Sequence, residues 1–258
     1  MEVNRTVRRR LAASPPGVWW HARQDLKGLR AWNALDDRRL AFYANFVRPG
    51  DLVFDIGANV GNRTKIFRRL GATVVALEPQ PYCQTILKRV YKNDSKVIIV
   101  PAAAGSEEGT AEMKVASGHV VSSLSPQWIS EVTKSNRFNV SWDKSLPCKL
   151  TTLDRLMATY GTPAFVKIDV EGYELQVIEG MHSPVAALSF EYTPECQANA
   201  FACIDRLDAL GMTQFSYSEG ESMQLEEAWR DRNGTKAVLP KVTDTQSFGD
   251  VYARMPKE

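Results

Sequence analysis

The sequence predicts an open α/β fold: a mostly parallel sheet with helices on both faces and an antiparallel hairpin at its end. Three observations carry this prediction. Short apolar runs alternate with helical stretches, a glycine-containing loop joins the first run to the next helix, and acidic residues follow the runs where the chain leaves the sheet. Strands buried on both faces read as continuous apolar runs, and the helices between them make right-handed crossovers.

At 258 residues, with 44% hydrophobic and 24% charged residues, the chain suits one large domain with an appendage and can bury a sizeable core. A net charge of +2 gives no case for nucleic acid or a membrane surface, and no apolar run approaches the roughly 20 residues that span a bilayer. The basic N-terminus is followed only by Leu11-Ala12-Ala13, too little for the apolar region of a signal peptide. Cys83, Cys148, Cys196 and Cys203 are scattered without metal-ligand spacing, so a reduced, cytoplasmic setting is expected.

Residues 1–33 are read as an N-terminal appendage rich in Arg and carrying Trp19, Trp20 and Trp32, and 34–258 as the main domain. Leu40, Tyr43, Ala44 and Val47 recur at helical spacing, which predicts a helix over Asp36–Phe46 that Pro49-Gly50-Asp51 ends. Strand Leu52–Ile56, helix Asn62–Leu70, strand Thr73–Leu77, helix Tyr82–Tyr91 and strand Val97–Val100 follow in alternation. The pattern breaks over an insert of about residues 105–150, polar and hairpin-like, expected to cover the active site. It resumes with helix Leu153–Tyr160, strand Phe165–Ile168, helix Glu174–Met181, strand Ala187–Phe190 and helix Ala198–Leu210. Thr213–Tyr217 and Val251–Met255 are expected to close the sheet as a hairpin around a long polar loop.

The strongest chemical signal is Asp55-Ile56-Gly57-Ala58-Asn59-Val60-Gly61, at the end of the first strand and the start of a helix. Glycines there allow a tight turn and close approach of a ligand to the backbone. The two glycines are separated by three residues, which is neither the dinucleotide Gly-x-Gly-x-x-Gly pattern nor a P-loop. An acid opening the loop would repel a pyrophosphate but favour the cationic methionine part of S-adenosylmethionine. Glu78 follows the second strand, roughly 20 residues beyond the loop, where a carboxylate can take both ribose hydroxyls. The small residues around Ala103 leave room for an adenine ring, or alternatively pack the core. Asp55, Gly57, Asn59, Gly61, Glu78, Pro79 and Ala103 are therefore the candidate cofactor set, and a side chain at Gly57 is expected to block the cofactor while leaving the fold intact.

Lys167-Ile168-Asp169-Val170-Glu171-Gly172 is the second constellation. Lys167 and Asp169 share a face of their strand, and a lysine in a doubly covered strand needs a partner, with Asp169 the nearest candidate and Asp55 another. Asp55, Glu78, Asp169, Glu171 and Glu191 are expected to converge at the carboxyl edge of the sheet, where open α/β folds bind ligands. Glu171 can equally cap the helix that follows. Trp128 and Trp142 can stack on a sugar ring or pack the insert against the sheet.

These blocks resemble the FkbM family of methyltransferases: Asp55–Gly61, Leu77-Glu78-Pro79, Thr152-Leu153-Asp154, Phe165–Gly172 and Phe190-Glu191, covering roughly residues 36–200. The resemblance implies a class I methyltransferase Rossmann-like fold and O-methylation of a hydroxyl on a sugar, glycan or natural product, with S-adenosylmethionine as cofactor. Asp169, Glu191 and His119 are the candidates for base or acceptor-binding groups; the carboxylates can instead hold a divalent cation such as Mg²⁺. A small-molecule or glycan acceptor is expected and no nucleic acid. An RNA methyltransferase using the Arg-rich N-terminus, and a non-catalytic S-adenosylmethionine-binding protein, are the rival readings.

Overall fold

The computed structural model describes residues 15–116, 121–138, 140–226, 228–240 and 247–256, with side chains from residue 22 onward. Helices α1 (Pro15–Arg30) and α2 (Ala34–Tyr43) precede β1 (Leu52–Ile56), α3 (Asn62–Arg69), β2 (Thr73–Leu77), α4 (Pro81–Val90) and β3 (Val97–Val100). Then come β4 (Ala103–Ala104), β5 (Gly109–Val115), α5 (Pro126–Lys134), β6 (Lys144–Thr151), α6 (Leu153–Tyr160) and β7 (Phe165–Ile168). The chain continues through α7 (Glu174–Glu179), β8 (Ala187–Tyr192), α8 (Gln197–Ala209), β9 (Gln214–Glu219), α9 (Arg232–Val238) and β10 (Gly249–Arg254). Among the described residues no helix is long and apolar enough to cross a membrane.

The central sheet runs β3-β2-β1-β7-β8-β10-β9, with β10 antiparallel to both its neighbours and the other pairings parallel. The order reverses between β1 and β7, which opens a crevice beyond the carboxyl ends of those strands. The expected hairpin is therefore present, and its second strand slots between β8 and β9. A separate three-stranded sheet, β4-β6-β5, forms from the insert and the residues just before it.

Adjacent strand residues feed opposite faces. Phe54, Val75, Val166 and Leu188 pack with Leu153, Val177 and Ile204 on one side. On the other side Val53, Val74, Phe165 and Tyr252 meet Phe42, Tyr43, Ile66 and Phe67 of α2 and α3. Helix α2 starts two residues earlier than its apolar spacing predicts, because the Asn33 side chain accepts hydrogen bonds from Leu35 and Asp36 N–H and the Asp36 carboxylate accepts one from Asn33 N–H. Helix α1 packs Leu26 and Leu29 on Val60, Cys83 and Ile86, and Tyr82 donates to Asp25 at 2.6 Å. The insert holds a helix as well as hairpin strands: Ser125 caps α5, Pro126 sits in its first turn, and Trp128 and Val132 are buried.

Lys167 lies fully buried in β7, on the face shared with Phe165. Its ammonium donates to Asp250 Oδ1 at 2.9 Å and to Asp169 Oδ2 at 3.3 Å. The closer partner is thus Asp250, at the start of β10, and not either of the residues the sequence nominated; Asp55 instead accepts from Thr64 Oγ1 at 2.5 Å. Burial works against the lysine's charge, but Asp169 and Asp250 outweigh it and hold its pKa well above the ordinary value. Removing one partner of a buried pair leaves an uncompensated charge, so Asp250→Ala should cost about 3–5 kcal/mol in urea unfolding. The double change Lys167→Met with Asp250→Leu should recover most of that loss. An Asp250→Ala chain within about 1 kcal/mol of the parent would mean that Asp169 suffices alone.

Candidate functional site

A cavity of about 450 Å³ opens at the carboxyl ends of β1, β2 and β7. Its wall includes Asp55, Gly57 and Asn59 of the glycine loop, Glu78 and Pro79 after β2, and Ala102–Ala104. Asp169, Glu171 and Glu191 close one side, and Met113, Ser122 and Leu124 of the insert another. His119 lies outside the described residues. Gly61 is not on the wall; with φ +103° it starts α3, where an added Cβ would stand 2.8 Å from Leu87 of α4.

The glycine loop is shaped by what lies beneath it. Gly57 has φ +79°, and a Cβ there would sit 1.8 Å from the backbone oxygen of Asp169. Its glycine is thus required by the contact between the β1 loop and the end of β7, so a side chain would displace the acidic edge itself, contrary to the expectation that the fold would be spared. Asn59 is also left-handed, at φ +50°, and its N–H donates to Glu78 Oε2 at 2.8 Å. Glu78 Oε1 accepts from Gln80 N–H at 2.7 Å. The Gln80 side chain is a third donor to this carboxylate, which leaves it a remaining lone pair for a hydroxyl donor. Burial raises Glu78 to about 7 and Asp55 to about 6.

Beyond β7 the chain turns through Glu171 at φ +56° and Gly172 at φ +87°. The capping role considered for Glu171 is not realised, since α7 has no side-chain cap; Glu174, its first residue, instead accepts from Gly172 N–H at 3.1 Å and Val170 N–H at 3.3 Å in the turn before the helix. Glu171 is thereby left to face the cavity. One carboxylate oxygen each from Asp169, Glu171 and Glu191 lies within 4.8 Å of the others. Burial and mutual repulsion push Glu171 and Glu191 well above the usual carboxylate range. All three were expected at the carboxyl edge of the sheet; that they close into one cluster depends on the left-handed turn through Glu171.

Trp128 is 1% exposed and packs beside Phe138 and Trp142, against Gly172, where an added Cβ would meet it at 2.3 Å. Trp142 Nε1 donates to the Val121 carbonyl. The two tryptophans hold the insert on the turn that carries Glu171; the packing alternative is the one realised for Trp128. Arg39 and Arg63 also line the cavity, bridged by Glu221. Nothing in their local sequence separates these arginines from the solvated charges of amphipathic helices.

The donor set fits S-adenosylmethionine: a buried carboxylate with a lone pair left for ribose, small alanines beside it, and further carboxylates on the wall for cationic groups. A seven-stranded sheet of this order, with an acid-lined glycine loop at its switch point, defines the class I methyltransferase fold. Residues 55–211, more than half of the chain, match the methyltransferase FkbM domain. The chain belongs to the FkbM family of methyltransferases.

It is 27% identical over 144 residues to the hexuronic acid methyltransferase AglP of Haloferax volcanii, covering 54% of each chain. The chain thus spans about half the length of that curated relative. Among solved structures it is similar to an rRNA methylase of Streptococcus thermophilus, at 11% identity and TM-score 0.45, covering 84% of this chain and 94% of that one. It is also similar to the precorrin-6y C5,15-methyltransferase of Geobacter metallireducens, at 11% identity and TM-score 0.44, covering 84% and 87%. At such scores these likenesses assign no residue a role.

Two outcomes follow from the loop. Gly57→Ala should cost more than about 2 kcal/mol and abolish cofactor binding together with stability, because Asp169 must move. Calorimetry and thermal melts would decide it, and normal stability with lost binding would return Gly57 to the cofactor. Glu78 is raised in the folded state, so its contribution to stability is complete below about 4.5 and is lost as pH rises through about 7. The ligand-free chain should therefore melt lower at pH 8 than at pH 6, and Glu78→Gln should flatten that difference; an unchanged slope would clear Glu78.

Proposed function

We propose that this chain is an S-adenosylmethionine-dependent O-methyltransferase whose acceptor is a hydroxyl of a sugar or glycan. The observation that carries this function is the cluster of Asp169, Glu171 and Glu191, set on the cavity wall beside the glycine loop and Glu78. Bound S-adenosylmethionine would supply an electrophilic methyl group; Glu78 and the backbone around Asn59 would hold its adenosine end, with Asp55 and Pro79 completing the wall. The named acceptor of the Haloferax volcanii relative, a hexuronic acid, supports a sugar-type acceptor here.

The chain's own task at the reacting centre is to orient a hydroxyl and take its proton as the oxygen–methyl bond forms. Glu191, raised by burial and by the neighbouring carboxylates, has the character of a general base. Asp169 is partly engaged by Lys167, so it is suited to orienting the acceptor and less to receiving the proton. Positioning of acceptor and donor supplies much of the rate in such displacements.

A second reading has a specific observation behind it, since three carboxylates within 4.8 Å suit a hard divalent cation that would acidify the hydroxyl. One experiment separates the two. Incubation with cofactor and hexuronic acid-containing or neutral glycans should give a product heavier by one methyl group. Glu191→Gln should cut turnover by about 10²–10⁴ while binding of S-adenosylhomocysteine survives. Loss of activity in chelator, with recovery in Mg²⁺, would assign the carboxylates to a metal. Near-normal turnover of Glu191→Gln and of Asp169→Asn would remove both from the mechanism.

A further inference from the structure

We infer that Arg39 and Arg63 form a receptor for a ligand carboxylate in the cavity wall, and that Glu221 fills it as a displaceable internal anion. The inference rests on the methyltransferase function proposed above and assigns a ligand group to the cationic part of the cavity wall. Arg63 is the second residue of α3, directly beyond the glycine loop, and Arg39 lies on α2. Both line the cavity, with side chains only 14% and 12% exposed. Glu221, two residues past β9, is the most exposed of the three at 36%.

The contacts are those of a guanidinium pair around one carboxylate. Arg39 donates from Nε to Glu221 Oε2 at 3.2 Å and from Nη2 to Oε1 at 2.9 Å, a forked arrangement. Arg63 Nη2 donates to the same Oε1 at 2.8 Å. Burial pushes the Glu221 carboxyl up, but Arg63 and Arg39 outweigh that and hold it below the usual range. Among the described residues, Glu221 is the carboxylate that both largely buried guanidiniums share at hydrogen-bond distance. Asp36, the other acid near Arg39, stands 3.6 Å away and is held at 2.7 Å by Lys65. Arg63 Nε is buried with no acceptor in the structure. Some anion must stand between the two arginines, because two desolvated guanidiniums without a counter-charge are strongly disfavoured, and Glu221 fills that place here.

Apart from these two arginines, the charged side chains on the cavity wall are all carboxylates, Asp55, Glu78, Asp169, Glu171 and Glu191 among them. Such a partition suits a zwitterion, with ammonium and sulfonium on the acids and carboxylate on the arginines. The methionine end of the cofactor has that chemistry, and the position of Arg63 at the exit of the glycine loop puts the receptor on its side. An acidic acceptor sugar offers the same carboxylate, and the test distinguishes the two sources.

The full chain would be titrated calorimetrically with S-adenosylhomocysteine and with 5′-methylthioadenosine, which shares the adenosine and thioether but lacks the aminocarboxylate. Arg63→Gln should weaken S-adenosylhomocysteine at least tenfold, and Glu221→Gln, by removing the internal competitor, should tighten it several-fold. Neither variant should move 5′-methylthioadenosine. In a parallel arm, glucuronate and glucose would be titrated into protein saturated with S-adenosylhomocysteine. A loss of glucuronate binding alone in Arg63→Gln would assign the receptor to the acceptor. If both adenosine ligands shift alike in both variants, the triad only ties α2 and α3 to the loop after β9, and the receptor is overturned while the cofactor site stands. If the parent chain binds neither adenosine ligand, the proposed function itself fails.

Discussion

Lys167 places a full positive charge in the middle of the central sheet, and much of the site is arranged around that constraint. A charge enclosed on both sides must be matched by carboxylates held close. Asp250 provides the nearer one, which ties the start of the antiparallel strand β10 to β7 across β8. Asp169 provides the other and is thereby fixed at the lip of the cavity. What the lysine neutralises it cannot neutralise twice. Glu171 and Glu191 stand in the same acidic field, and burial first, then repulsion from the neighbouring carboxylates, raises their pKa values.

The loop after β1 is coupled to this edge by a steric contact instead of an electrostatic one. Gly57 rests on the Asp169 carbonyl so closely that no side chain fits between them. Glu78 then collects the Asn59 and Gln80 amides onto one carboxylate, which fixes the loops after β1 and β2 relative to each other. The glycine loop and the acidic cluster are therefore one mechanical unit. The turn over Glu171 and Gly172 is pinned from the other side by Trp128, with Ser123 donating to the Glu171 carbonyl. The insert thus contributes rigidity to the turn that carries Glu171 as well as a wall to the cavity.

The β-α alternation, most strand positions and the acidic residues at the strand ends were legible in the sequence, because each depends on local pattern. Continuous apolar runs mark strands buried on both faces whatever their neighbours, and Thr73–Leu77 and Phe165–Ile168 were found to the residue. Helix α5 was missed since its insert is polar overall, although Ser125-Pro126 with Trp128 and Val132 at helical spacing marks its start and buried face. The division of labour between Glu171 and Glu174 was not legible: both follow the same strand, and only the left-handed turn decides which one reaches back to the backbone amides.

By itself the sequence determined the fold class, the glycine loop and the convergence of acids on one edge, since these follow from hydrophobic period and from the rule that ligands meet the carboxyl ends of parallel strands. Only the tertiary structure decided which charges meet. Lys167 and Asp250 are 83 positions apart and Arg63 and Glu221 are 158 apart. No local period connects residues at such separations; strand insertion and helix packing bring them together, and burial then sets how strongly they interact.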